Sequence, residues 1–493
     1  MCTFFQSTLG IRLPVYQGPI TYYILPLLSL SSLPEWKCPE TPSLLNMTIN
    51  TNISDYAKNQ QSFEQTHVLP KLQVLGGSLM LAGIVHMLVG MTGMVGILLR
   101  FIGPLTIVPT LILVSIPQAY VLVKFCEPSW AVAVITALTT LVLSMYLDRK
   151  NVPVPIWKKG RGFIILHYPL HKVLSVLIGT IIGLCLSAIL TAAKVYSDDV
   201  TSVEYRARID SAASGISSAP WFYMPYPGQF GYPTFSVGIF VTYLIPTLIS
   251  ILDSIADYYA CARVAQVPPP PFHAVSRGLA TEGFFSFLAG CVGVGHATTT
   301  YGPNIGIIGM TKVGSLRVFQ MFGLQLVLVA ILAKLSACFV TIPYPVIGGM
   351  TFILTGSFFG IIFSNLSHVN LNSNRNLVVI GMSLVCGLMI PHWAKQNIDK
   401  LDTGTRQLTD LVRILLTNSN FIGGFVACLL DNTLPGTLKE RGMLSWTDAG
   451  DNAQSAEYEE RVAVYDIPII TKILGKFRIT SYIPISPTFR QKY

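Results

Sequence analysis

Long apolar runs interrupted by short polar stretches organise this chain. A helix needs about 20 apolar residues to cross roughly 30 Å of hydrocarbon. Residues 72–99, 101–123, 128–147 and 173–193 reach or exceed that length without one Asp, Glu, Lys or Arg. Further on come 233–252, which runs into Asp253, then 283–311, 318–333, 335–374, 376–394 and 414–430. The stretch 335–374 is long enough for a helix end, a turn at Pro343 and Pro345, and a second helix near 346–364. With an apolar segment near 13–30, and with 283–311 split at its Gly-rich centre, the pattern predicts about twelve spans.

Composition agrees with a lipid-facing surface. The chain has 493 residues, 51% hydrophobic and 12% charged, with a mean hydropathy of +0.56, whereas soluble domains carry about 25% charged residues. Met1 to Gly10 has neither a basic start nor a sustained apolar core, so no cleavable signal peptide is read there. The net charge of +9 reads as topology rather than as nucleic-acid binding, because cytoplasmic loops collect Lys and Arg. Arg149, Lys150, Lys158, Lys159 and Arg161 cluster between two spans and mark that loop as cytoplasmic. By parity, Arg100, the 261–282 loop with Arg263 and Arg277, and Lys312 with Arg317 also fall inside, and both termini are cytoplasmic. The outside loop near 34–70 then carries two glycosylation sequons, at Asn46 and Asn52. A third, at Asn365, falls inside and reads as chance. The nine cysteines lie mostly in or beside apolar runs without CxxC spacing and give no metal or redox signal. Residues 1–430 read as the membrane domain, and 431–493, which returns to soluble composition, as a cytoplasmic tail.

Polar residues inside apolar runs point to function, since an ionisable side chain in a span costs at least about 2.5–3.5 kcal/mol. Asp253 and Asp257 stand at i, i+4, which puts both carboxylates on one helix face. Two like charges there call for a cation, a proton or a donor-rich substrate. The alternative is a hydrated helix end, with Asp257 near Arg263. The stretch 293–306 is rich in Gly and Thr and holds Pro303. Backbone of that kind at membrane depth must be buried in protein or line a cavity, and a half helix starting near Pro303 would aim its positive end at a polar ligand. Thr298, Thr299 and Thr300 add hydroxyls. Residues 13–19, with Gln17 and Gly18 between prolines, form a second interrupted segment, and such pairs facing one midplane site are a transporter pattern. His86, alone in a charge-free span, reads as packing or a proton relay, and Pro268 to Pro271 as a stiff linker. No Walker A, GxSxG, HExxH or usable GxGxxG is present, so nothing argues for an enzyme.

The run Asp253 to Arg263, the proline run, and Pro303 to Lys312 (Pro-Asn-Ile-Gly-Ile-Ile-Gly-Met-Thr-Lys) together resemble the nucleobase-ascorbate transporter family, particularly its animal sodium-dependent vitamin C transporters. Gln17-Gly18, Leu33 to Cys38, Asn374 to Asn376 and Asp431 to Gly436 support the likeness. The resemblance implies an all-α polytopic fold of seven-plus-seven inverted repeats, usually dimeric, in which the spans of this chain correspond to the third to fourteenth and the first two are lacking. Core spans would be about 13–99 and 233–341, and gate spans about 101–193 and 344–430. It also implies sodium-coupled symport of L-ascorbate across the plasma membrane by an elevator movement of core against gate, with no cofactor beyond sodium as coupling ion. Carried over by position, Asp253 takes the substrate-binding acidic place and Asp257 its acidic partner, with Thr299 and Thr300 assigned to ion coupling. Gln17, Gly18, Pro303, Asn304 and Gly306 would meet the substrate, and Thr311 and Lys312 complete the motif. Proline at 303 cannot pair with a nucleobase edge and so favours a hydroxyl-rich anion. The alternatives are a nucleobase or urate symporter, and a transport-inactive truncated paralogue acting through dimerisation.

Overall fold

The computed structural model describes residues 1–19, 23, 36, 64–158, 162–443, 462–467, 471 and 483–486. The Asn46 and Asn52 sequons and most of the apolar segment 13–30 lie outside the described residues. Helices dominate: α1 Cys2–Thr8, α2 Leu69–Thr92, α3 Met94–Phe101, α4 Pro104–Cys126, α5 Trp130–Leu141, α6 Ser175–Ala192, α7 Val237–Val264, α8 Phe272–Val292, α9 Pro303–Thr311, α10 Leu316–Ile331, α11 Ala333–Val340, α12 Tyr344–Ser364, α13 Asn374–Gln396, α14 Arg406–Thr417 and α15 Ser419–Thr433. Among the described residues, six helices are long and apolar enough to cross a membrane, and seven when α10 and α11, bent by 99°, are taken as one broken span. The shorter apolar unit of α5 and the π turn that follows it, and the nine-residue α9, are further apolar segments of the sequence pattern.

Proline and glycine set the boundaries. The run 72–99, expected as one span, divides at Gly93, whose φ of 76° ends α2 as glycine at a helix C-terminus does. Proline starts α4, α9 and α12 within their first turn, where its missing N–H leaves no helical bond unmade.

The largest departure from the expected boundaries concerns α8. It begins at Phe272, directly after the proline run, and not at 283, so Arg277 and Glu282 belong to a helix rather than to a 261–282 loop. Both are buried. Charge marks a loop only when the charge is hydrated, and here protein groups replace water: Arg277 Nε donates to the Gly10 carbonyl and Nη2 to the Tyr465 carbonyl, each at 2.7 Å.

α2 and α8 pack together through glycines spaced by seven residues, Gly76, Gly83 and Gly90 on one helix and Gly283 and Gly290 on the other. A Cβ on Gly83 would stand 2.4 Å from Phe287 N, and one on Gly283 would stand 2.1 Å from Met87 N. Small residues let membrane helices approach backbone to backbone. α7 packs on α2, while α12 packs on α4 and α5 and α15 packs on α4; α9 lies between the two groups, against α7 on one side and α12 on the other.

The fold is not purely helical. Gln17–Gly18 (β1) pairs antiparallel with Thr299–Thr300 (β4), and Val152–Lys158 (β2) pairs with Gly162–Tyr168 (β3) as a hairpin in the loop between α5 and α6. The Asp431 region is structured as well. α15 continues through Thr433, and the buried Asp431 accepts from Arg375 Nη2 at 3.0 Å and from Arg441 Nε and Nη2 at 3.0 and 2.9 Å.

Candidate functional site

The two interrupted segments meet. The register Gln17↔Thr300 and Gly18↔Thr299 joins them in a two-residue ladder, and Tyr301 N extends it to the Tyr16 carbonyl at 3.0 Å. The backbone groups that no helix satisfies in this stretch therefore satisfy each other, as lipid depth requires. Directly after the ladder, α9 runs for nine residues from Pro303.

Beside the ladder, Glu282 gathers a polar cluster. Its Oε1 accepts from Tyr258 OH at 2.6 Å, Thr300 Oγ1 at 2.7 Å and Gln17 Nε2 at 3.0 Å, with Gln6 Nε2 at 3.4 Å. Its Oε2 accepts from Ser254 Oγ at 2.7 Å. Gln17 Nε2 also donates to Thr300 Oγ1 at 2.8 Å. His86 Nε2 lies 3.8 Å from Glu282 Oε2, outside hydrogen-bond reach, and neither ring nitrogen of this buried histidine has a hydrogen-bond partner among the described residues. One carboxylate thus ties α1, β1, α7, α8 and β4 together. The close glycine contacts of α2 and α8 bring His86 against it, because Gly283 and Met87 follow Glu282 and His86 directly.

A helix turns about 100° per residue, so Asp253 and Asp257 form a stripe adjacent to the Ser254 and Tyr258 stripe that grips Glu282. Both aspartates are buried, and α7 continues to Val264. The hydrated-end alternative is therefore excluded: Asp257 lies almost two turns inside the helix and is fully buried. Neither carboxylate oxygen of Asp257 has a hydrogen-bond partner among the described residues. The hydroxyls of Thr298 and Thr299, Gln17 Oε1 and Asn304 Nδ2 are buried in the same condition. α7 packs on both β4 and α9, so the helix that carries both aspartates borders the crossing.

The remaining motif residues serve α9 itself. Its first amides are engaged, Asn304 N with the Tyr301 carbonyl at 3.2 Å and Ile305 N with that of Gly302 at 2.8 Å, so the half helix offers its dipole and the Asn304 side chain more than free N–H groups. Pro303 is buried at its start. Gly306 faces α12, where a Cβ would stand 2.6 Å from the Leu354 carbonyl. Thr311 Oγ1 donates back to the Ile307 carbonyl at 2.8 Å, and Lys312, exposed with φ 58°, closes the helix. Gln17, Gly18, Thr299, Thr300 and Asn304 belong to the crossing, Asp253 and Asp257 lie on the helix packed against it, and Thr311 and Lys312 lie at the far end of α9.

Sequence reading missed Glu282. Its charge ends the apolar run that starts at Gly283. The signal that would have found it is the seven-residue glycine spacing on α2 and α8, which predicts a tightly packed pair with Glu282 inside it. Among the described residues, no group of three or more His, Cys, Asp or Glu side chains is arranged to hold a metal ion.

An apolar helical body built round a broken, polar crossing defines a membrane permease, and sequence comparison agrees. A profile of the permease family matches residues 1–396. Solute carrier family 23 member 2 of Mus musculus is 36% identical over 489 residues, covering 99% of this chain and 73% of that protein. Solute carrier family 23 member 1 of Mus musculus is 35% identical over 490 residues, covering 99% and 79%. Nucleobase-ascorbate transporter 1 of Arabidopsis thaliana is 28% identical over 476 residues, covering 92% and 83%. The chain belongs to the permease family, as a member of its nucleobase-ascorbate transporter group, and is a multi-pass membrane transporter rather than an enzyme.

Proposed function

We propose that this permease is a sodium-coupled symporter of L-ascorbate. The observation that carries the reading is Asp257, wholly buried with neither carboxylate oxygen hydrogen-bonded among the described residues, one turn from the buried Asp253. A buried carboxylate without donors is stable only if a proton or cation joins it. Sodium, a hard cation, takes oxygen ligands, and the Thr298 and Thr299 hydroxyls and Gln17 Oε1 supply neutral ones. Binding of sodium would neutralise the stripe and let an anionic, hydroxyl-rich substrate approach the positive end of α9 and the amide of Asn304. Pro303 offers no hydrogen-bonding edge to a purine or pyrimidine, which favours ascorbate over a nucleobase. Nucleobase-ascorbate transporter 1 of Arabidopsis thaliana is named for both substrate classes, so the choice of ascorbate rests on Pro303.

The symport would proceed by movement of the α2, α7, α8 and α9 set against the α4, α5, α12 and α15 set, in a homodimer in the plasma membrane with cytoplasmic termini. The Asn46 and Asn52 sequons would then face outward.

Uptake of labelled ascorbate, in sodium or with choline replacing it, tests the proposal. Sodium-dependent uptake that excess uracil and urate leave unchanged is the expected result. Uptake inhibited by uracil would make this a nucleobase carrier, and surface-expressed protein that carries nothing would contradict a transport role for the chain.

A further inference from the structure

The 152–168 hairpin has more apolar surface than a free two-stranded ribbon can keep in water. Two strands alone are marginally stable, and this pair stands in the loop between α5 and α6, touching only the short helical turn Leu170–Val173 beyond itself among the regular elements that pack closely on β2. Opposed residues share a face. The register Trp157↔Phe163, Pro155↔Ile165 and Pro153↔His167 therefore collects Trp157, Phe163 and Ile165 on one side. They are 69%, 77% and 65% exposed, and the Trp157 and Phe163 rings meet edge to face with centroids 4.9 Å apart. On the opposite side Val154 and Ile164 are half-buried and Leu166 is 46% exposed, so the aromatic face is the more open of the two.

Three observations identify what covers that face. The hairpin is attached at both ends to apolar helices, with β2 starting six residues after the π turn that ends at Tyr146 and β3 ending seven residues before Ser175, so its base is tethered to the ends of those helices. The sequence from 147 to 174 contains Arg149, Lys150, Lys158, Lys159, Arg161 and Lys172 against a single acid, Asp148. Lys172 is paired with that acid, and its ammonium holds the Asp148 carboxyl below the usual carboxylate range, so the acid stays ionised and already matched. The segment keeps a net positive charge, complementary to anionic headgroups. Finally, prolines sit in strands where the N–H would face away from the partner, so Pro153 and Pro155 strip donors from the open edge of β2. That disfavours an added strand from another protein or a second copy.

We infer that the hairpin is an interfacial anchor: the Trp157, Phe163 and Ile165 face lies among the lipid headgroups of the adjoining leaflet, held there by anionic lipid. Trp at the boundary between apolar and wet layers is where its amphipathic ring is most stable.

The test is fluorescence of the full chain in nanodiscs of phosphatidylcholine with or without phosphatidylserine, using acyl chains brominated near the headgroup as quencher. The Trp157 signal is the difference between the unaltered protein and Trp157→Phe. Ile165→Trp, on the same face, supplies a second reporter by its excess signal, should Trp157→Phe fail to fold. The expected result is quenching of both signals by bromolipid, reduced about twofold when phosphatidylserine is omitted or in the Arg149→Gln, Lys150→Gln double variant. Signals quenched by aqueous iodide and not by bromolipid overturn the inference. So do signals shielded from both quenchers, which would mean a protein partner, and equal quenching with and without phosphatidylserine overturns the anionic part.

Discussion

Two acidic sites lie side by side on α7 and α8, and they are built in opposite ways. Glu282 accepts hydrogen bonds from Tyr258, Thr300, Gln17 and Ser254. Asp257, on the neighbouring stripe of α7, accepts none among the described residues. The same contrast divides two consecutive threonines, since Thr300 donates to Glu282 whereas the buried Thr299 hydroxyl has no partner among the described residues. A saturated buried carboxylate is scaffold, because its donors have already replaced water. An unsaturated one is a site, because something must arrive to complete it. Helix periodicity alone keeps them apart: Ser254 and Tyr258 turn to Glu282, and Asp253 and Asp257 turn about 100° away.

The largest effect is expected at Asp257. Asp257→Asn should lower sodium-dependent uptake by about a hundredfold or more, the size of a lost buried charge contact of about 3 kcal/mol, while surface abundance and melting temperature stay near the unaltered protein. Loss of both together would make Asp257 scaffold and break the contrast.

Glu282→Ala should do the reverse. It strands the Tyr258, Ser254 and Thr300 hydroxyls at a cost of about 1–3 kcal/mol each, so little folded protein should accumulate on size-exclusion chromatography. Glu282→Gln, which keeps an acceptor, should recover part of the yield. Normal yield of Glu282→Ala with lost sodium dependence would move the ion site to Glu282.

A smaller effect is expected where the helices touch. Gly83→Leu forces a side chain into Phe287 N and should destabilise by about 1–3 kcal/mol as overpacking does, read as a lower melting temperature. Smallest and most discriminating is the threonine pair. Thr300→Val should lower the melting temperature with little change in sodium affinity, and Thr299→Val should weaken apparent sodium affinity by about tenfold, the scale of one lost ligand, with the melting temperature unchanged.

Much of this was legible in the chain because lipid leaves few choices. Charge-free runs placed the apolar helices, Pro303 with its flanking glycines placed the half helix, and the i, i+4 spacing exposed the Asp253 and Asp257 stripe. What escaped shares one physical cause: a polar residue was read as solvent-facing when protein groups had replaced the solvent. Arg277 reads as part of a cytoplasmic loop and Glu282 as the residue before an apolar run for that reason, and Asp431, near the predicted boundary of the tail, is clasped by Arg375 of α13 and Arg441 beyond α15. The hairpin escaped for the converse reason, since its two short apolar strands carry no helical length and no local signal of where they pack. The pairing of Gln17 with Thr300 spans 283 residues of sequence, and only the presence of two broken segments pointed to it.

The most direct measurement is the melting temperature of purified protein as sodium replaces choline at constant ionic strength, for the unaltered chain and for Asp257→Asn. A ligand that binds only the folded state raises its stability with concentration. A rise with sodium in the unaltered protein that vanishes in Asp257→Asn is the predicted result. An equal rise in both would contradict the assignment of the unsaturated carboxylate as the sodium site.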